Sequence, residues 1–186
     1  IYEWNGSAWT QVGNDIDGEA YGDWSGFSLT IDGTGNRIAI GAPWNDGPSK
    51  NNEDKRGHVR VYDWDGSSWK KVANDIDGEN TGNQSGTSLA MSNDGKRIAI
   101  GAPYNDGEFS AISGHVRIYE LSNSEVKTEP ELDLEPFYLQ IGSDFEGDVG
   151  SDSYGYSVAI SKDGSRVIIG APFNDGNGSS SGLVRV

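Results

Sequence analysis

The sequence predicts an all-β chain of short antiparallel strands arranged in three repeats, and three observations carry that reading. The first is a recurring apolar run. Arg37-Ile38-Ala39-Ile40-Gly41-Ala42-Pro43 returns unchanged at residues 97–103 and returns again as Arg166-Val167-Ile168-Ile169-Gly170-Ala171-Pro172. A short β-branched run bounded by turn residues reads as a buried strand, and Gly-Ala-Pro ends it because proline cannot donate to a ladder. The second is composition: 27 glycines in 186 residues, 34% apolar content and frequent Asp-Gly pairs suit a chain rich in tight turns. The third is that no window shows the 3.6-residue period of a long amphipathic helix.

Residues 1–47 align with 61–107 at a constant offset of 60, and 28 of these 47 positions are identical, so both units obey the same packing constraints. Each unit opens on an aromatic strand, Trp9 to Val12 or Trp69 to Val72. An acidic turn follows, at Asn14 to Glu19 or Asn74 to Glu79. Ser25 to Ile31 and Ser85 to Met91 predict the next strand, with the pattern Ser-Gly-x-Ser-Leu. A tight reversal comes next; Asp94-Gly95 and Asp163-Gly164 supply residues that tolerate φ > 0. The Gly-Ala-Pro strand, a loop of variable length and a fourth expected strand, Gly57 to Trp64 or Gly114 to Glu120, complete the unit. The repeats run approximately over 1–60, 61–117 and 118–186 of one segment, 1–186. In the third, the offset to the second grows from 57 at Ile118/Val61 to 69 at Asp144/Asp75, so twelve residues are added. They fall between Ser122 and Pro136, in a polar stretch expected to form an exposed loop and a candidate interaction tip.

Four short strands in a unit of this length predict β-propeller blades: three four-stranded antiparallel blades. Ile1 to Trp4 matches Val61 to Trp64, and Gly182 to Val186 matches Gly57 to Val61, so the chain starts and stops within one strand type. Three blades leave unpaired edges, and the expectation is part of a larger ring or pairing with another copy. The formal net charge of −15 argues against nucleic acid as a partner and fits a cation-binding or simply well-solvated surface. Without cysteine there is no disulfide framework or thiolate metal site, and no run approaches the roughly 20 apolar residues of a membrane span.

Three features in register carry a family resemblance: Gly-Ala-Pro after an aliphatic strand, Gly-x-Ser before it and Gly-x-Val-Arg-Val/Ile after it. With them the chain resembles the FG-GAP repeat, the blade of the integrin α-subunit propeller and of bacterial and algal surface proteins. Tyr154-Gly155-Tyr156-Ser157 best matches the aromatic-Gly half of that name; Ser25 and Ser85 replace the aromatic in the other units. The resemblance implies a non-catalytic extracellular or cell-surface module for binding or assembly, whose partners are a protein or glycan or further copies of the same blades. The integrin calcium loop does not carry over, because residues 32–36, 92–96 and 161–165 lack its array of oxygen ligands. Readings from other classes are a lectin or carbohydrate-active propeller enzyme, and a structural repeat of a surface filament.

The sequence offers little for catalysis. His58 and His115 occupy a position where the third unit has Leu183, which marks a packing site rather than a general base, and no nucleophile elbow, HExxH or P-loop appears. The chain is therefore read as not an enzyme. Trp44, Tyr104 and Phe173 follow Gly-Ala-Pro and, with Trp4, Trp9, Trp64 and Trp69, are expected to pack between blades. Trp24 has Gln84 and Ser153 as counterparts and is the candidate ligand contact. The candidate metal ligands lie at positions 1, 3, 5 and 9 of the acidic turns: Asp15, Asp17, Glu19 and Asp23; Asp75, Asp77, Glu79 and Asn83; Asp144, Glu146, Asp148 and Asp152. Oxygen donors on alternate residues around a glycine are what Ca²⁺ uses, and equally what caps turns by bonding backbone N–H groups.

Overall fold

The computed structural model describes residues 1–47, 53–106, 112–122, 136–148 and 150–186; the added stretch of the third repeat, 123–135, lies outside them. Among the described residues there is no α-helix. A first hairpin pairs β1 (Tyr2–Trp4) with β2 (Trp9–Gln11). The first full sheet runs β3 (Ser28–Ile31), β4 (Arg37–Ala42), β5 (His58–Trp64) and β6 (Trp69–Lys71), and β7 (Ile76–Asp77) adds to the other half of β5. The second repeats this order with β8 (Ser88–Met91), β9 (Arg97–Ala102), β10 (His115–Ser122) and β11 (Phe137–Gln140), with β12 (Phe145–Glu146) on β10. The third has β13 (Ser157–Ile160), β14 (Val167–Ala171) and β15 (Leu183–Arg185). All these pairings are antiparallel, and together they are propeller blades.

Two details differ from expectation. The strand expected as fourth, 57–64, is third, and the outer strand is the aromatic one that opens the next repeat. Local turn chemistry decides this: Asp65 accepts from the backbone N–H groups of Ser67 and Ser68, both at 2.8 Å, and folds Trp69 back on Trp64 with ring centroids 5.4 Å apart. The third sheet accordingly holds three described strands instead of four. The Asp-Gly reversals form as anticipated, with Gly95 and Gly164 both at φ +70.

The blades stack through alternating strand faces. Ala39, Val59 and Val61 of the first sheet bury against Met91, Ile98 and Ile100 of the second, with Ile76 beside them. Ala99, Val116 and Ile118 of the second bury against Tyr154 and Ile169 of the third. Polar bonds fix the register of both joints. Ser28 Oγ donates to the Gly86 carbonyl at 2.6 Å and Ser88 Oγ to that of Gly155 at 2.7 Å. Arg37 forks onto Asp63, with both bonds at 2.6 Å, and reaches the Gly95 carbonyl at 3.1 Å; Arg97 makes the same reach to Gly164. Gly41 and Gly101 have no room for a side chain, because a Cβ on either would come well inside 3.0 Å of the Gly86 or Gly155 carbonyl oxygen. The Gly-x-Ser and Gly-Ala-Pro signatures are thus two sides of one blade–blade contact.

Candidate functional site

The acidic turns link the last strand of one sheet to the first of the next, so each turn lies at a joint between blades. Their carboxylates do not converge within a turn. Positions 1 and 5 of consecutive turns instead meet around an arginine of the third strand. Arg60 forks onto Asp75 at 2.9 and 2.8 Å and pairs on its other side with Glu19. Arg117 does the same with Asp144, its Nη2 at 2.7 Å, and with Glu79. In the third blade Arg185 pairs with Asp148, its guanidinium 5.2 Å from the Tyr154 ring centroid. Asp15, the first-repeat counterpart of Asp75 and Asp144, is exposed and accepts from Gln11 at 2.9 Å. Asp17 is exposed, whereas Asp77 and Glu146 are half-buried, and burial raises the Asp77 carboxyl above its usual range.

Position 9 has a separate task. Asp23, Asn83 and Asp152 are all buried. Asp23 accepts from Asn45 Nδ2 at 3.0 Å and from the Ala20 N–H at 3.1 Å, and Asp152 accepts from Asn174 Nδ2 at 2.7 Å. The Asn of the Asn-Asp-Gly that follows Gly-Ala-Pro therefore locks one loop to another at the blade edge, and its Oδ1 also accepts from the glycine N–H. Asp23 and Asp152 are thus taken up in bonds between loops, whereas Asn83 Nδ2 is buried without a hydrogen-bond partner among the described residues.

The arginines shape the electrostatics. Burial works to raise Asp75, but Arg60 and Lys71 outweigh it and hold the carboxyl at about 2. Asp144 is lowered likewise, with Arg117 and Gln140 overcoming burial. His58 and His115 lie buried beside these arginines; burial first and the arginine charge second lower both imidazoles, His115 to about 4. Ligand atoms of Glu19, His58 and Asp75, and of Glu79, His115 and Asp144, gather within 4.8 Å of one another in each group. In each the guanidinium stands beside them. Sequence reading missed Arg60, Arg117 and Arg185, although Gly-x-Val-Arg repeated in all three units was the signal available. Arg117→Met should lower stability by about 2 kcal/mol in chemical denaturation, because two carboxylates lose their partner at a packed joint. The exposed pair of Arg185 should cost little when broken the same way.

The aromatic residues divide. Trp64 and Trp69 pack as expected, with Trp69 Nε1 donating to the Val12 carbonyl at 3.0 Å. The rings after Gly-Ala-Pro do not lie between blades: the turn at Pro43 swings them onto the loop edge, where Tyr104 and Phe173 are exposed. Trp24 stacks on Trp44 with centroids 4.2 Å apart and planes 13° apart, and Phe27 lies 6.0 Å from Trp24. Lys55 Nζ sits 4.4 Å above the Trp44 ring. Trp24, held at φ +56, remains half exposed.

The family model of the FG-GAP repeat matches residues 147–186. No curated protein matches the chain in sequence. Among solved structures, hydrazine synthase of Kuenenia stuttgartiensis is similar at 17% identity and a TM-score of 0.43; the likeness covers 84% of this chain and 44% of that one. Residues 147–186 match the FG-GAP repeat, and the two units before them show the same strand order and joints, as blades of a β-propeller.

Proposed function

We propose that the chain is a non-catalytic binding module that works outside the cell or at its surface, with the loop edge of the first blade as its contact. The observation that carries this reading is the stack of Trp24, Trp44 and Phe27. Rigid aromatic rings at a surface offer a large contact area at little entropic cost. The non-catalytic part is supported by the two histidines of the chain, which are buried and held neutral beside arginines rather than placed in an open cleft. No helix of the described residues is long and apolar enough to cross a membrane. The exposed part of Trp24 also favours a second reading, a lectin in which a sugar ring stacks on the indole. A glycan array run beside a hydrolase screen tests both. No turnover is expected, and any glycan that binds should be held at least about tenfold more weakly by Trp24→Ala. Turnover would sink the non-catalytic reading, and retention of sugars by the wild type alone would make the module a lectin.

For the acidic turns we propose capping and ion pairing as their role. What supports it is that an arginine already stands between carboxylates of consecutive turns, while Asp23 and Asp152 at position 9 are engaged with Asn45 and Asn174. Calorimetric titration of metal-free protein with Ca²⁺ should give no heat, and chelator should leave the melting temperature unchanged. A saturable isotherm would restore calcium as the ligand of these turns.

A further inference from the structure

The loop after each Gly-Ala-Pro is built three times to one plan. The aspartate of its Asn-Asp-Gly accepts the backbone N–H of one later residue: Asp46 from Lys55 at 3.2 Å, Asp106 from Ile112 at 2.9 Å and Asp175 from Ser180 at 2.6 Å. The three donors have φ of +47, +57 and +49, so they hold one and the same place in the loop. In the first blade that place carries a lysine, whose ammonium stands 4.4 Å above the Trp44 ring. An aromatic face is negative and the chain as a whole carries −15, so both favour a cation there. In the second blade the place holds an apolar side chain, Ile112. In the third it holds Ser180, where a hydroxymethyl group replaces the long ammonium stem.

The third blade nevertheless keeps its rings. Tyr156 and Phe173 meet at 6.1 Å with planes at 82°, forming a right-angled corner, and they are 47% and 49% exposed. The open side of the last blade does not set this exposure. Tyr104 holds the position of Phe173 in the middle blade, which is packed on both sides, and it is still 40% exposed. Among the described residues no cation stands over Tyr156 or Phe173.

We infer that the Tyr156–Phe173 corner binds an alkylammonium group, the head of a lysine side chain or of a free amine, in the place that Lys55 fills for Trp44. Asp175, exposed on the same loop, adds negative charge to the corner's surroundings. The inference rests on the reading of the chain as a binding module. It gives that module a second contact on the loop edge of the third blade, apart from Trp24 in the first.

NMR titration of the 186-residue chain with n-butylammonium reads the rings directly. The expected result is a saturable shift of the Tyr156 and Phe173 ring signals that n-butanol, equally long but uncharged, does not produce. Ser180→Lys should fold normally, since Lys55 already adopts the same φ, and should abolish the shift by laying the chain's own ammonium over Phe173. Trp24→Ala should leave the shift intact, which separates a failure of the first-blade contact from a failure of this one. A tetralysine peptide held at least about tenfold more tightly than butylammonium assigns the cation to a partner polypeptide, and parity assigns it to a small amine. Rings that do not respond to butylammonium, equal shifts with butanol, or shifts that persist in Ser180→Lys overturn the proposal.

Discussion

Gly101→Ala should be among the most damaging single-methyl changes in the chain, costing about 3 kcal/mol in denaturant unfolding at low protein concentration. A Cβ there meets the Gly155 carbonyl, which is backbone of the next blade held by Ser88 and by the sheet, and it cannot yield without parting the joint. Gly41→Ala should behave alike against Gly86. Gly170 holds the same place in its strand, but the nearest atom a Cβ would meet is the hydroxyl of Ser157, a side chain that can rotate away. Gly170→Ala should therefore cost about 1 kcal/mol or less. If all three lost the same stability, the glycines would be serving strand conformation and not blade contact.

Acid should destabilise the protein before its carboxylates titrate. His115 has a folded pKa of about 4 against an ordinary 6.5, and His58 is lowered in the same direction. Between those values the unfolded chain holds protons on its histidines that the folded chain does not. Stability is therefore full above pH 6.5 and falls as pH drops toward 4. For His115 the loss amounts to about 3 kcal/mol across the window. Below it, Asp75 continues the decline as pH falls from its ordinary 3.8 toward about 2. Urea midpoints at about pH 7.5 and about pH 4.5 read the effect. His115→Leu, which installs the residue that the third repeat carries as Leu183, should flatten much of the difference. An unchanged slope in that variant would mean that the imidazole titrates normally.

The legible part of this fold was what repeats. Identical spacing of Arg-Ile-Ala-Ile-Gly-Ala in two units, with a close variant in the third, marks strands that share one environment, and β4, β9 and β14 are those strands. Strand order within a sheet was less legible, because the turn at Asp65 acts locally and assigns Trp69 to the sheet before it. The site was read only halfway. Alternating carboxylates in one turn suggested a single cluster, but the chain passes from one blade to the next within that turn, so its positions face different neighbours. Asp23 and Asp152 at position 9 look inward to Asn45 and Asn174, and positions 1 and 5 look to arginines on either side. Trp24 stood out as the ring its repeats lack, whereas its stacking on Trp44 depends on two loops that the sequence does not visibly join.

Because the outer strand of a sheet belongs in chain order to the following repeat, the stretch that recurs in the sequence is not the stretch that folds as a sheet. No single sixty-residue copy contains a complete blade in continuous order. Each is finished by what comes after it and finishes what came before. Removing or adding one whole copy at any point leaves the same chemistry on both sides of every remaining seam. Removing a fraction of one leaves a sheet short of a strand and an arginine short of a carboxylate. Outside its loops, such a chain is therefore free to change length only in whole periods, and a copy short of a strand in its interior would melt its neighbours together with itself.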